Sequence, residues 1–134
     1  MCIRDSTVTL HNSTVSGNRA DGEGGGIFTY YRSVALTNSS VSGNYGGGIY
    51  ALSDGVTLAN STVSENDGDG ISALDAVTLN DSTVTGNDGD GIVSGGDIIL
   101  SDSTVTENVG RGIIAVDSVT LTNSTVSGLS LIHI

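Results

Sequence analysis

Two stretches of this sequence place carboxylates at matched positions. NDGDG runs over 66–70 and recurs over 87–91, so Asp67 and Asp88, and likewise Asp69 and Asp90, stand 21 residues apart. If that spacing is one structural step, four like charges gather at one turn and repel. A Ca²⁺ ion would relieve the repulsion, because it takes carboxylate and carbonyl oxygens in flexible geometry. Asp67, Asp69, Asp88 and Asp90 are therefore the candidate metal ligands and Ca²⁺ the candidate cofactor. The competing reading is a solvated acidic turn, since the phrase lacks the spacing and distal Glu of known calcium loops. Arg111 lies one step beyond the acidic pairs, in a comparable glycine turn (GRGI, 110–113). It offers either a base beside Asp-bound calcium or a salt bridge to Asp90. His11 has no recurring partner, so no catalytic residue is assigned.

A second pattern is hydroxylic. The phrase T-V-S or a variant of it recurs, giving outward pairs Thr14/Ser16, Thr62/Ser64, Thr83/Thr85 and Thr104/Thr106, with Ser40/Ser42 and Thr125/Ser127 completing the series. On stacked strands these would form two rows, ~6.6–6.8 Å apart along the strand and ~4.8 Å between steps. Such an array suits sugar hydroxyls or an ice lattice, or is a plain polar strand face. Beside it runs an asparagine column, Asn18/Asn44/Asn66/Asn87/Asn108. It is expected to be a ladder of stacked amides at a turn, where Asn tolerates the left-handed region. A further column, Asn12/Asn38/Asn60/Asp81/Asp102/Asn123, alternates Asn with Asp and reads as turn acceptors.

What positions these residues is a repeat. Val8-Thr9-Leu10 returns near 34, 56, 77, 98 and 119, at spacings of 26, 22, 21, 21 and 21. Val, Thr and Ile alternate with Ser, Asn and Gly, which is strand chemistry rather than helix chemistry. Three short strands with turns at Asn and Gly make one coil. A single coil cannot bury its apolar face, but stacked coils can. The columns through Val8, Leu10 and Val15 then become continuous aliphatic ladders, and the crossover rule makes the coil right-handed. The expected fold is all-β: a right-handed parallel β-helix of about six coils, 21–22 residues per coil, three short strands per coil.

The two ends fit no repeat. The terminal LSLIHI can be reverse-translated as CTG TCT CTT ATA CAC ATC. Its complement, read one base out of step, is ATG TGT ATA AGA GAC AG, which encodes the opening Met-Cys-Ile-Arg-Asp and begins a Ser codon. Both ends thus resemble the transposon end used to fragment DNA for sequencing libraries. Residues 1–6 and 129–134 are expected to be adapter-derived, leaving 7–128 as one domain cut from a longer protein. Uncapped end coils would self-associate through raw strand edges.

Charge narrows the partners. Four Lys and Arg face 15 Asp and Glu, a net charge of −11. Nucleic acid and anionic membrane surfaces both need a basic face, so neither is expected as a partner. No apolar run approaches the ~20 residues of a membrane span. The one Cys is Cys2, so no disulfide framework exists within 7–128.

The phrase NSTVSGN followed by GGGI resembles the repeats of right-handed parallel β-helix proteins of the bacterial surface, including the polymorphic outer membrane proteins and the pectate-lyase-like solenoids. GGGI at 24–27 and 46–49 matches their glycine phrase, whereas Ser13 and Thr14 stand where that subgroup carries Phe. The resemblance implies an extracellular or cell-surface location. The same fold carries lyases, hydrolases and adhesins, and with no catalytic residue assigned the expected role is non-enzymatic, structural or adhesive, with carbohydrate or a host surface as partner. The alternatives are a polysaccharide- or ice-binding Thr/Ser face, and scaffold coils of a polysaccharide lyase whose catalytic coils lie elsewhere.

Overall fold

A computed structural model describes residues 2–3, 7–22 and 24–127, with only the backbone of Cys2 and Ile3. Strands of three or four residues, with one of two at the N-terminal edge, recur three to a coil. The first sheet stacks Cys2–Ile3, Ile27–Thr29, Ile49–Ala51, Ile71–Ala73, Ile92–Ser94 and Ile113–Ala115. The second stacks Val8–His11, Val34–Thr37, Val56–Ala59, Val77–Asn80, Ile98–Ser101 and Val119–Thr122. The third stacks Thr14–Ser16, Ser40–Ser42, Thr62–Ser64, Thr83–Thr85, Thr104–Thr106 and Thr125–Ser127. Every pairing is parallel and joins equivalent residues, such as Leu58 with Leu79 and Val63 with Val84. The molecule is the expected three-sided solenoid, in the expected register.

The register follows from which side chains face inward. Period-two alternation points Val77 and Leu79 inward and Thr78 outward, and a one-residue slip would reverse all three. The aliphatic columns are almost wholly buried: Val56, Leu58, Val63, Val77, Leu79, Val84, Ile98, Leu100 and Val105. Each such side chain contributes about 1.5–3 kcal/mol of transfer free energy. Terminal coils bury less, because an end rung has one neighbour instead of two. Leu10 and Val15 are half-buried and Leu121 is 45% exposed.

Two polar ladders run inside the aliphatic ones. In the first, the side-chain amide of Asn66 donates to Asn87 Oδ1 at 2.9 Å, and that of Asn87 donates to Asn108 Oδ1 at 2.8 Å. The backbone N–H of Asn66 shares the Asn87 acceptor at 3.2 Å. In the second, Ser61 N–H donates to Ser82 Oγ and Ser82 N–H to Ser103 Oγ, both at 3.1 Å. Each serine hydroxyl then donates to the carbonyl two residues back, as Ser82 does to Asn80 at 2.7 Å. The use of these serines as hydrogen-bonded steps was not legible in the sequence. These ladders satisfy backbone groups at the corners, where the sheets stop.

The left-handed backbone falls elsewhere than expected. It does not lie on the stacked asparagines. It lies on the second column, Asn12, Asn38, Asn60, Asp81, Asp102 and Asn123, all with φ near +50°. It also lies on the residue just before each stacked Asn in the first five coils: Gly17, Gly43, Glu65, Gly86 and Glu107. The stacked Asn must point inward and bond to its neighbours, so the bend is made one position earlier. Glycine makes that bend without strain. Glu65 at φ 55° and Glu107 at φ 57° carry a Cβ into it, which costs ~1–2 kcal/mol each, partly offset by the greater freedom of glycine in the unfolded chain. The double change Glu65→Gly and Glu107→Gly is expected to stabilise by about 1 kcal/mol, raising Tm by about 3–5 °C in calorimetry. An unchanged or lowered Tm would contradict this.

The chain's ends add one observation. Although Ile3, Arg4 and Asp5 fit no repeat, the backbone of Cys2–Ile3 pairs with Phe28–Thr29 at the edge of the first sheet. An open parallel edge accepts extended backbone whatever its side chains. Residues 1, 4–6 and 129–134, on which the remainder of the adapter expectation falls, lie outside the described residues.

Candidate functional site

The first coil departs from the period. Asn18 and Gly26 are eight residues apart, where the equivalent Asn44 and Gly48 are four apart. Of the surplus, the described residues 19–22 and Gly24 lie on the corner that carries the Asp repeats. Glycine lets them sit there: Gly46 has φ +100°, and a Cβ on it would meet the carbonyl oxygen of Gly22 at 2.2 Å. These residues and the first sheet enclose an open depression of about 580 Å³. Its walls include Tyr45, Tyr50, Asp21, Asp67, Asp69 and Asp88, over a floor of glycine backbone.

All five aromatic residues of the chain fall within 28–50, in the first two full coils. Phe28 and Tyr50 are register partners on the outer face of the first sheet and stack with ring centroids 5.6 Å apart. Tyr30 meets Phe28 edge-on at 6.0 Å and Tyr31 at 5.0 Å. Arg19 lies over the Tyr45 ring at 4.4 Å and reaches Asp21 at 3.7 Å on an exposed rim. The sequence reading missed this cluster. Its two signals were the 26-residue first interval and the crowding of the aromatics.

The four predicted metal ligands divide into two pairs. Asp69 Oδ1 accepts the backbone N–H of Asp90 at 2.8 Å, and Asp90 Oδ1 accepts that of Arg111 at 2.6 Å. These carboxylates cap the next coil's turn. Asp90 also pairs with the Arg111 guanidinium at 3.1 Å, so Arg111 takes the salt-bridge reading. Asp67 and Asp88 stand one residue after the stacked asparagines and are exposed, with backbone N–H groups donating to Asn44 and Asn66. Among the described residues no three His, Cys, Asp or Glu side chains come together as a metal-holding group. The turn is acidic: Asp67, Asp69 and Asp88 line the depression, while Asp90 is engaged by Arg111.

The predicted ligand face is the outer side of the third sheet. Thr62, Ser64, Thr83, Thr85, Thr104 and Thr106 are half-exposed and in register, and Thr14 and Ser16 are exposed at its end. Thr85 and Thr106 hydroxyls lie 3.3 Å apart, within hydrogen-bond distance. The face is flat, hydroxylic and uncharged. Among the described residues no helix is long and apolar enough to cross a membrane.

Compared with known proteins, residues 1–130 match the family described as the right-handed β-helix region. The chain belongs to that family, which fixes the hand of the solenoid as well as its class. No curated protein and no solved structure matches it.

Proposed function

We propose that this chain is a non-catalytic, adhesive β-helix segment of a larger secreted or cell-surface bacterial protein, and that it holds carbohydrate in the depression between residues 20–22 and the first sheet. The observation that carries this reading is the pairing of Tyr45 and Tyr50 with carboxylates in one open cavity of about 580 Å³. Aromatic faces take the C–H face of a sugar ring, and carboxylates and glycine carbonyls accept from its hydroxyls. An open depression suits a chain ligand that enters and leaves along its length. Titration calorimetry with cellotetraose tests it. Tyr45→Ala and Tyr50→Ala are each expected to weaken binding about tenfold, the loss of one well-packed aromatic contact. Binding that survives both changes would place the sugar elsewhere.

The hydroxyl rows of the third sheet support a second reading, a flat surface for polysaccharide or ice. Its observation is the registered Thr/Ser array, continuous over the four central coils. Serine at 40, 42 and 64 removes methyl groups from that array, which favours sugar over ice. A scaffold role within a lyase draws less support, because Arg111 is engaged by Asp90.

A further inference from the structure

The depression's charge selects among carbohydrates. Asp21, Asp67, Asp69 and Asp88 contribute to its walls, and the only cation beside it among the described residues is Arg19. Arg19 lies at the rim, with its guanidinium over Tyr45 and near Asp21. Asp69 is partly engaged by the Asp90 N–H. Asp67 and Asp88 are exposed on adjacent coils in a chain of net charge −11. Like charges held on neighbouring rungs repel until a cation lies between them. A concave wall of one sign also focuses its field on whatever enters.

Resting on the carbohydrate reading, we infer that the depression prefers amine-bearing saccharides, glucosamine-type chains with free ammonium groups, and rejects uronic-acid chains. A protonated 2-amine sits at the ring edge, where a sugar stacked on Tyr50 would present it toward Asp67 and Asp88. A second ammonium has the Tyr45 face as a cation–π partner, displacing Arg19 from the place it now fills. A uronate in the same place brings a carboxylate against Asp67 and Asp88 and, among the described residues, has no cation to meet except Arg19. The acidic wall thus becomes a discriminator, and the tyrosines supply the contact common to all sugars.

The test compares two tetrasaccharides that differ only in the 2-substituent: the β-1,4-linked glucosamine tetramer and cellotetraose, with trigalacturonate as the anionic control. Titrations are run in mildly acidic buffer, where the amines are protonated, at low and high salt. The glucosamine tetramer is expected to bind about tenfold more tightly than cellotetraose, the worth of two exposed ion pairs. Trigalacturonate is expected not to bind. The double variant Asp67→Asn and Asp88→Asn, checked by its melting curve, is expected to erase the preference and leave cellotetraose binding within about twofold, since an amide still accepts hydrogen bonds. High salt is expected to erase it too. Equal affinity for the two tetramers, or a preference that persists in the Asn variant, would overturn the inference and leave the carbohydrate reading standing. Glucosamine binding undiminished by Tyr45→Ala and Tyr50→Ala would also overturn it, as attraction to the acidic surface at large. If neither tetramer binds, both readings fall together.

Discussion

Changing Val84 to Asp is expected to abolish cooperative folding, whereas changing the adjacent Thr83 to Asp is expected to cost no more than about 1 kcal/mol. Val84 is fully buried, stacked between Val63 and Val105. A carboxylate there would lie within the aliphatic core, out of contact with water. Burying an unpaired charge costs more than about 4 kcal/mol, a large share of the 5–15 kcal/mol that holds most domains folded. Thr83 lies one residue away on the opposite face, half-exposed and hydrated. Its replacement loses strand propensity and little else. Urea unfolding followed by circular dichroism separates the two. A cooperative transition in Val84→Asp, or equal loss in both variants, would mean that the inward and outward faces of the third sheet are assigned the wrong way round.

The second large effect is expected at the asparagine ladder. In Asn87→Ala, Asn66 loses its Asn87 acceptor for both its side-chain amide and its backbone N–H, and the Val63 carbonyl loses a donor. Asn66 and Asn87 are essentially fully buried, so water does not replace these bonds. The cost is expected to be about 2–4 kcal/mol, because orphaned buried groups lose their full desolvation penalty. Asn18→Ala serves as the control. Asn18 is exposed, and its backbone N–H still donates to Asn44 Oδ1 at 3.0 Å after the side chain is gone. Its cost is expected to stay below about 1 kcal/mol. Equal midpoints for the two variants in urea would show that the ladder is decoration on an aliphatic core.

The solenoid was legible in the sequence because its ladders repeat residue type as well as spacing. Val56, Val77 and Ile98 announce both a strand and the partner on which it stacks. The asparagine ladder was legible for the same reason, but not its backbone conformation. Which residue takes the left-handed bend depends on where the Asn side chain must point, and at Glu65 and Glu107 the residue type argues against the bend that the stack imposes. The acidic turn was legible as a cluster, and its hydrogen bonding was not. Sequence gave no sign that Asp69 and Asp90 would be consumed in capping the next coil. The depression was the least legible part, because it arises where the repeat fails. A longer first coil and a run of aromatics make it, and a search for periodicity passes over both.

On the proposed reading, ligand enters the depression and not the hydroxyl face. Backbone amide shifts in a ¹⁵N-labelled sample, titrated with the glucosamine tetramer, test it most directly. The largest shifts are expected on Gly46, Gly47, Gly68 and Asp69, while the amides of Thr83, Thr85, Thr104 and Thr106 stay still. Shifts centred on those four threonines, with the glycine turn unmoved, would contradict it.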